Sequence, residues 1–113
     1  MSRLLKAEAR VTAEIVKQLS FAERLKIYSA LAHDTRLNIL KTIAEKNPRS
    51  FTELKTTHNL NPNTLAYHLK ALEYAALIRS EYEKELGNRK YSRYMITGLG
   101  RELLNYPDYT ELL

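Results

Sequence analysis

Between Ser50 and Leu77 the chain spells two helices joined by a turn too short to leave their packing free. Thr52 can cap a short helix from Glu53 to about His58. Asn59-Leu60-Asn61 then reads as a tight turn, with Leu60 as its single apolar plug. Asn61 can cap a second helix, and Pro62 stands at its first position, where a missing N–H costs nothing. Laid out at about 100° per residue, that helix gathers Leu65, Leu69, Leu72 and Ala76 on one side, which must be buried. Asn63, Tyr67 and Tyr74 fall almost opposite, flanked by Thr64, Ala71 and Lys70.

The flanks fit one small, mostly helical domain. The 113 residues suffice for a single core and not for two. Residues 2–19 read as a helix with Leu4, Val11, Ile15 and Leu19 on one stripe. That stripe must pack on its own domain or on the same helix of a second chain. Ser20 is a plausible cap for a helix from Phe21 to His33, with Phe21, Leu25, Tyr28 and Leu31 on its apolar side. Asp34 reads as the cap of a further helix, about Thr35 to Lys46, which Asn47-Pro48 ends. Leu37, Leu40 and Ala44 line its inner face, with Ile39 and Ile43 alongside. After Leu77 the pattern shifts to residues 78–83 and 90–96, rich in tyrosine and isoleucine and separated by a segment with Gly87-Asn88, which predicts a β-hairpin. Thr97 or Gly98 opens a last helix to about Asn105, and Pro107 stops it.

Several chemistries are excluded by composition. There is no cysteine, so disulfides, zinc fingers and thiolate sensors are ruled out. No two of His33, His58 and His68 lie one helical turn apart, as a helix-borne metal pair requires; neither a metal nor another cofactor is expected. No phosphate-cradling glycine loop, carboxylate cluster or thiol nucleophile is present, so an enzyme is not expected. No apolar run approaches the roughly 20 residues of a membrane span, and the start of the chain lacks the apolar stretch of a secretion signal. A cytoplasmic protein is the expectation.

The formal net charge is +5, which suits a polyanionic partner. Residues 1–58 carry a net +5, residues 59–94 a net +2 and residues 95–113 a net −2, so charge by itself isolates no binding face.

A short helix, a tight turn and a longer helix with a polar outer face form a helix-turn-helix, whose second helix can enter the major groove of DNA. Asparagine can bond adenine at two positions, and a threonine methyl can meet a thymine methyl. The candidate recognition-helix residues are therefore Asn63, Thr64, Tyr67, His68 and Lys70, with Tyr67 and Lys70 suited to sugar or phosphate. His68, at the edge of the apolar side, is better placed to hold the helix orientation than to read a base. Ser50, Thr52 and Asn61 are candidates for backbone contacts at the start of the two helices. The hairpin offers Lys84, Asn88, Arg89, Lys90 and Arg93, which can lie along phosphates or in the adjacent minor groove. Glu81, Glu83 and Glu85 dilute that charge.

The stretch 30–78, ALAHDTRLNILKTIAEKNPRSFTELKTTHNLNPNTLAYHLKALEYAALI, closely resembles the winged helix domain of ArsR-type transcriptional regulators and their archaeal relatives. The resemblance extends over about residues 24–105 and includes Leu69, Leu72 and Leu77-Ile78-Arg79-Ser80 followed by a basic hairpin. It implies a mainly α fold with a small β-hairpin, a winged helix-turn-helix that dimerises through its N- and C-terminal helices. The whole of 1–113 would be one domain: a dimerisation helix at 1–20, the helix-turn-helix at 52–77, the wing at 78–96, and a C-terminal helix and tail at 98–113. The implied dimer surface is Leu4, Val11, Ile15, Leu19, Leu103, Leu104 and Tyr106. The resemblance also places Asn63, Thr64 and Tyr67 where the family reads bases. The chain departs from the family in lacking the metal-sensing cysteines and any histidine after His68. It also has Ala75-Ala76-Leu77 where a glycine usually follows the recognition helix, a change that would lengthen the helix and shift the wing.

Three functions are compatible with this fold. The first is a sequence-specific regulator binding double-stranded DNA as a homodimer, with half-sites about 34 Å apart. The second is a chromatin-type protein that coats DNA through backbone contacts. The third is a winged helix used for protein–protein contact, which the eight tyrosines make worth weighing.

Overall fold

The computed structural model describes residues 14–84 and 90–105. Residues 14–18 are helical (α1) and are followed by α2 (Phe21–Leu31), α3 (Asp34–Glu45), β1 (Arg49–Ser50), α4 (Phe51–His58) and α5 (Pro62–Tyr74). The hairpin strands β2 (Ile78–Lys84) and β3 (Lys90–Ile96) and the short α6 (Gly98–Leu104) complete the order.

Two helices start on the same device. Ser20-Phe21-Ala22-Glu23 opens α2 and Ser50-Phe51-Thr52-Glu53 opens α4. In each, the serine hydroxyl accepts the backbone N–H three residues on (3.1 Å), while the glutamate accepts the serine N–H. This reciprocal capping box satisfies two donors that a helix start otherwise leaves open. The serine hydrogen bonds hold the carboxyls of Glu23 and Glu53 below the usual range. The cap of α4 is thus Ser50, not Thr52, and the helix begins two residues earlier than the sequence reading placed it. The cap of α3 is likewise His33, with no side-chain bond, and Asp34 lies inside the first turn. Asn61 caps α5 as expected: its Oδ1 accepts Thr64 N–H at 2.8 Å, with Pro62 in the first turn.

The core lies where α2, α3 and α5 meet, closed by α4, the sheet and α6. α2 buries Ile27, Ala30 and Leu31, the i, i+3, i+4 stripe that faces α3 and α5. Phe21 and Leu25, assigned to its apolar side from sequence, are 58% and 43% exposed. α3 buries Arg36, Ile39, Leu40 and Ile43 and leaves Leu37 and Ala44 half-buried. From the first helix Val16 is buried, while Ile15 and Leu19 are half-buried; Leu4 and Val11 lie outside the described residues. Leu103 is fully buried within this one chain. It is therefore core, not dimer surface; Leu104 is half-buried beside it, and Tyr106 lies outside the described residues.

The sheet has the order β1-β3-β2, antiparallel throughout. Ile78 pairs with Ile96 and both are buried, whereas Glu81 pairs with Arg93 on the exposed face, as the period of two requires. β1 was not foreseen: Arg49 pairs with Tyr94 and Ser50 with Arg93. The carboxamide oxygen of Asn47 accepts Ile96 N–H at 3.0 Å and extends that seam.

The missing glycine after α5 is replaced by strain rather than by a longer helix. Helix α5 ends at Tyr74, and Ala76 takes the left-handed conformation, φ 61°. Ala76 N–H reaches Glu73 O (2.9 Å) and Leu77 N–H reaches Leu72 O (3.0 Å), the bond pair of a Schellman C-cap. Ala75, not Ala76, joins Leu65, Leu69 and Leu72 in the core. An alanine in this region costs about 1–2 kcal/mol relative to glycine. Ala76→Gly should therefore stabilise the protein by about 0.5–1 kcal/mol after the added freedom of the unfolded chain. A thermal melt that fails to rise would refute the strain.

Candidate nucleic-acid interface

The outer face of α5 carries a continuous exposed stripe: Asn63, Tyr67, Lys70 and Tyr74, at steps of four, three and four. Tyr67 is 64% and Tyr74 70% exposed, unusually open for side chains of their size. Thr64, the next residue along, is half-buried. The inner face, Leu65, Leu69 and Leu72, is buried against the core, so the roll of the helix about its axis is set by packing.

His68 occupies the border between these faces and is 5% exposed. Its Nδ1 accepts a hydrogen bond from Arg36 Nε at 3.1 Å. Burial, then His33, then Arg36 push the imidazole below its ordinary value. A ring that accepts at Nδ1 and resists protonation is neutral and carries its hydrogen on Nε2. His68 therefore leaves the set of candidate DNA contacts and becomes the residue that ties α5 to α3.

Arg36, which the sequence pattern alone does not single out, stands at the centre of this arrangement. It is 9% exposed, donates from Nη1 to the carbonyl of Ser29 at 3.3 Å, and lies 5.0 Å from the centre of the Tyr67 ring. One guanidinium thus holds α2 through a carbonyl, α5 through an imidazole, and one face of Tyr67 through a cation–π contact. His33 packs edge-on against His68 at 4.8 Å and completes the cluster. The clue in the sequence was an arginine in register with Ile39, Leu40 and Ile43, since a charge on an apolar stripe must find partners.

The cluster makes stability depend on pH. The folded-state pKa of His68 is below its unfolded value of about 6.5, so in that window the unfolded chain binds more protons. Its contribution is complete above about pH 6.5 and is lost as pH falls through the folded pKa. His58, lowered by burial and by Arg49, acts in the same direction. The melting temperature should fall on acidification below pH 6.5. His68→Asn, which keeps an acceptor near Nδ1, should flatten the slope without abolishing it. An unchanged slope would remove His68 as its main source.

The backbone-contact candidates divide. The Ser50 hydroxyl and Asn61 Oδ1 are engaged in capping, while Thr52 is exposed in the first turn of α4. Arg93 is exposed on β3, opposite Glu81 on β2 and Ser50 on β1, so the hairpin and the entry to α4 share one sheet. Lys84 and Lys90 are paired at the ends of β2 and β3. Asn88 and Arg89 lie outside the described residues. Among the described residues no group of three or more histidine, aspartate or glutamate side chains is placed to hold a metal ion, and no helix is long and apolar enough to cross a membrane.

Helices α4 and α5 joined by a tight turn, packed on α2 and α3 and followed by an antiparallel hairpin, define a winged helix-turn-helix. Comparison with known proteins agrees. Residues 31–81, from the end of α2 into β2, match the family model of a helix-turn-helix domain. The structure of the transcriptional regulator homologue protein from Pyrococcus horikoshii OT3 is similar, with TM-score 0.58 and 23% identity over 74% of this chain and 89% of that one. RV1404 from Mycobacterium tuberculosis gives 0.55 and 20% identity over 98% of this chain and 65% of that one. Disulfide-formed AbfR gives 0.53 and 20% over 98% and 86%. No curated protein sequence matches the chain.

Proposed function

We propose that this protein is a DNA-binding transcription regulator that recognises a specific double-stranded sequence as a homodimer, in the manner of ArsR-type regulators. The observation that carries the reading is the exposed stripe of Asn63, Tyr67 and Lys70 on a helix whose roll and tilt are fixed from behind by Arg36 and His68. A reader of base edges needs polar groups at helical spacing on a rigid support. The helix-turn-helix match and the regulators among similar folds support it.

In this reading Asn63 and Thr64 meet base edges, Tyr67 and Lys70 meet sugar or phosphate, and the hairpin cations, Arg89 and Arg93 among them, lie along the backbone. The first and last helices join two copies, with Ile15, Leu19 and Leu104 contributing half-buried apolar surface. The protein is a binding protein of the cytoplasm that uses neither metal nor cofactor.

Selection of the purified protein against a random duplex pool, followed by titration at two salt concentrations, tests the proposal. Enrichment of a two-fold symmetric motif is the expected result. Salt-sensitive binding with no enriched motif would favour a chromatin-type protein. Absence of binding at low salt would overturn both readings and leave the exposed tyrosines as a protein-docking face.

A further inference from the structure

A cavity of about 360 Å3 opens between α2 and α5, with Arg36 of α3 in its lining. This is within the range of roughly 300–1,000 Å3 that small-molecule sites occupy. Its hollow comes from three alanines, Ala22 and Ala30 on α2 and Ala71 on α5, where any larger side chain would fill the space. Leu25 and Tyr74 add apolar surface at its rim, and both are exposed. A flat apolar body can lie on these groups.

The polar part of the lining has one sign. Lys26 and Arg36 both line the cavity, and among the described residues no acid does. Lys26 Nζ sits 4.3 Å from the centre of the Tyr74 ring. Arg36 is 9% exposed, and its hydrogen-bond partners, His68 Nδ1 and Ser29 O, are neutral. Neither cation forms a salt bridge among the described residues. Glu23, one turn before Lys26, feels the Lys26 charge but is hydrogen-bonded to Ser20 and does not line the cavity. A nearly buried guanidinium beside a hollow, held by neutral partners and with no salt-bridged carboxylate among the described residues, can receive an anion from outside. The Ser29 side chain, also in the lining, offers a further donor.

We infer that this cavity binds a small aromatic monocarboxylate, its carboxylate between Lys26 and Arg36 and its ring against Leu25 and Tyr74. The consequence for DNA, which rests on the function proposed above, follows from the position of Arg36. The same guanidinium lies over Tyr67 and bonds His68. A carboxylate that draws it toward the cavity loosens the support of the α5 stripe, so occupancy lowers affinity for DNA.

The test is a titration of the full chain with 1-naphthylacetate, read from the alanine methyl resonances, with the neutral 1-naphthylacetamide as control. Saturable shifts should appear at Ala22, Ala30 and Ala71. The amide should bind about tenfold more weakly, since it lacks the charge that the two cations recognise. Lys26→Gln should weaken the acid by a similar factor and leave the amide unchanged. Ala71→Leu should abolish both by filling the hollow. Absence of shifts at millimolar acid, equal binding of acid and amide, or shifts centred elsewhere would each overturn the site. With the cavity saturated, affinity for the selected DNA should fall by about fivefold or more. Unchanged affinity would overturn the regulatory role alone. A chain that binds the acid but no DNA would instead refute the function proposed above and leave the site intact.

Discussion

Gly100→Ala should destabilise the protein by about 2–3 kcal/mol and lower its melting temperature by about 10 °C. Gly100 is buried in the first turn of α6, where its N–H donates to Thr97 Oγ1 at 3.0 Å. A Cβ built there would press into the carbonyl oxygen of Leu77 and lie 2.8 Å from Ile96 Cγ1. The carbonyl cannot retreat. It accepts Thr97 N–H at 3.0 Å, the Thr97 hydroxyl donates to the adjacent Ala76 carbonyl at 2.7 Å, and Leu77 N–H is fixed to the end of α5. Gly98 provides the control, since a Cβ there meets nothing within 4 Å. Gly98→Ala should leave stability unchanged or slightly raised. Equal effects of the two substitutions in urea or thermal denaturation would refute the close-packing account.

Asn63→Ala should weaken binding to the selected DNA by about 1–3 kcal/mol while leaving binding to bulk DNA nearly unchanged. Asn63 is exposed on α5, so its truncation should leave the fold intact. Lys70→Gln should behave differently. In the proposed complex Lys70 meets a phosphate, so its loss should weaken all sequences alike and lower the salt slope by about one. Titrations on matched and scrambled duplexes at several salt concentrations separate the two roles. Equal weakening of every duplex by Asn63→Ala would remove it as a base reader.

Much of this scaffold was legible because its signals are local. Asn61-Pro62 marks the start of α5, Ser20 that of α2 and Thr97 that of α6, each through a side chain within three residues of the amide it satisfies. The Ser-x-x-Glu pattern at Ser50 was equally local and would have corrected the start of α4. Other features were not local. β1 is two residues long and has no periodicity of its own; it exists because β3 supplies partners more than forty residues later. A stripe of leucines shows that a face is covered but not by what, which is why Leu103 was assigned to a second chain and lies instead in the core of the first. The pairing of Arg36 with His68 spans 32 positions and connects helices that no sequence pattern orients. The wing tip and chain start, where Arg89, Leu4 and Val11 fall, lie outside the described residues.

The pairing of β1 with β3 also bears on how the protein emerges from a ribosome. Ser50 is both the cap of α4 and the partner of Arg93, and Asn47 waits for the amide of Ile96. The starts of the turn-motif helices are specified as soon as they are synthesised, because their caps are their own neighbours. Their entry strand cannot be seated until residue 96 has left the exit tunnel. Closing so long a loop costs entropy that only the finished sheet offsets. A nascent chain halted after α5 would therefore carry both helices of the turn motif without the strand pairing that seats the start of α4.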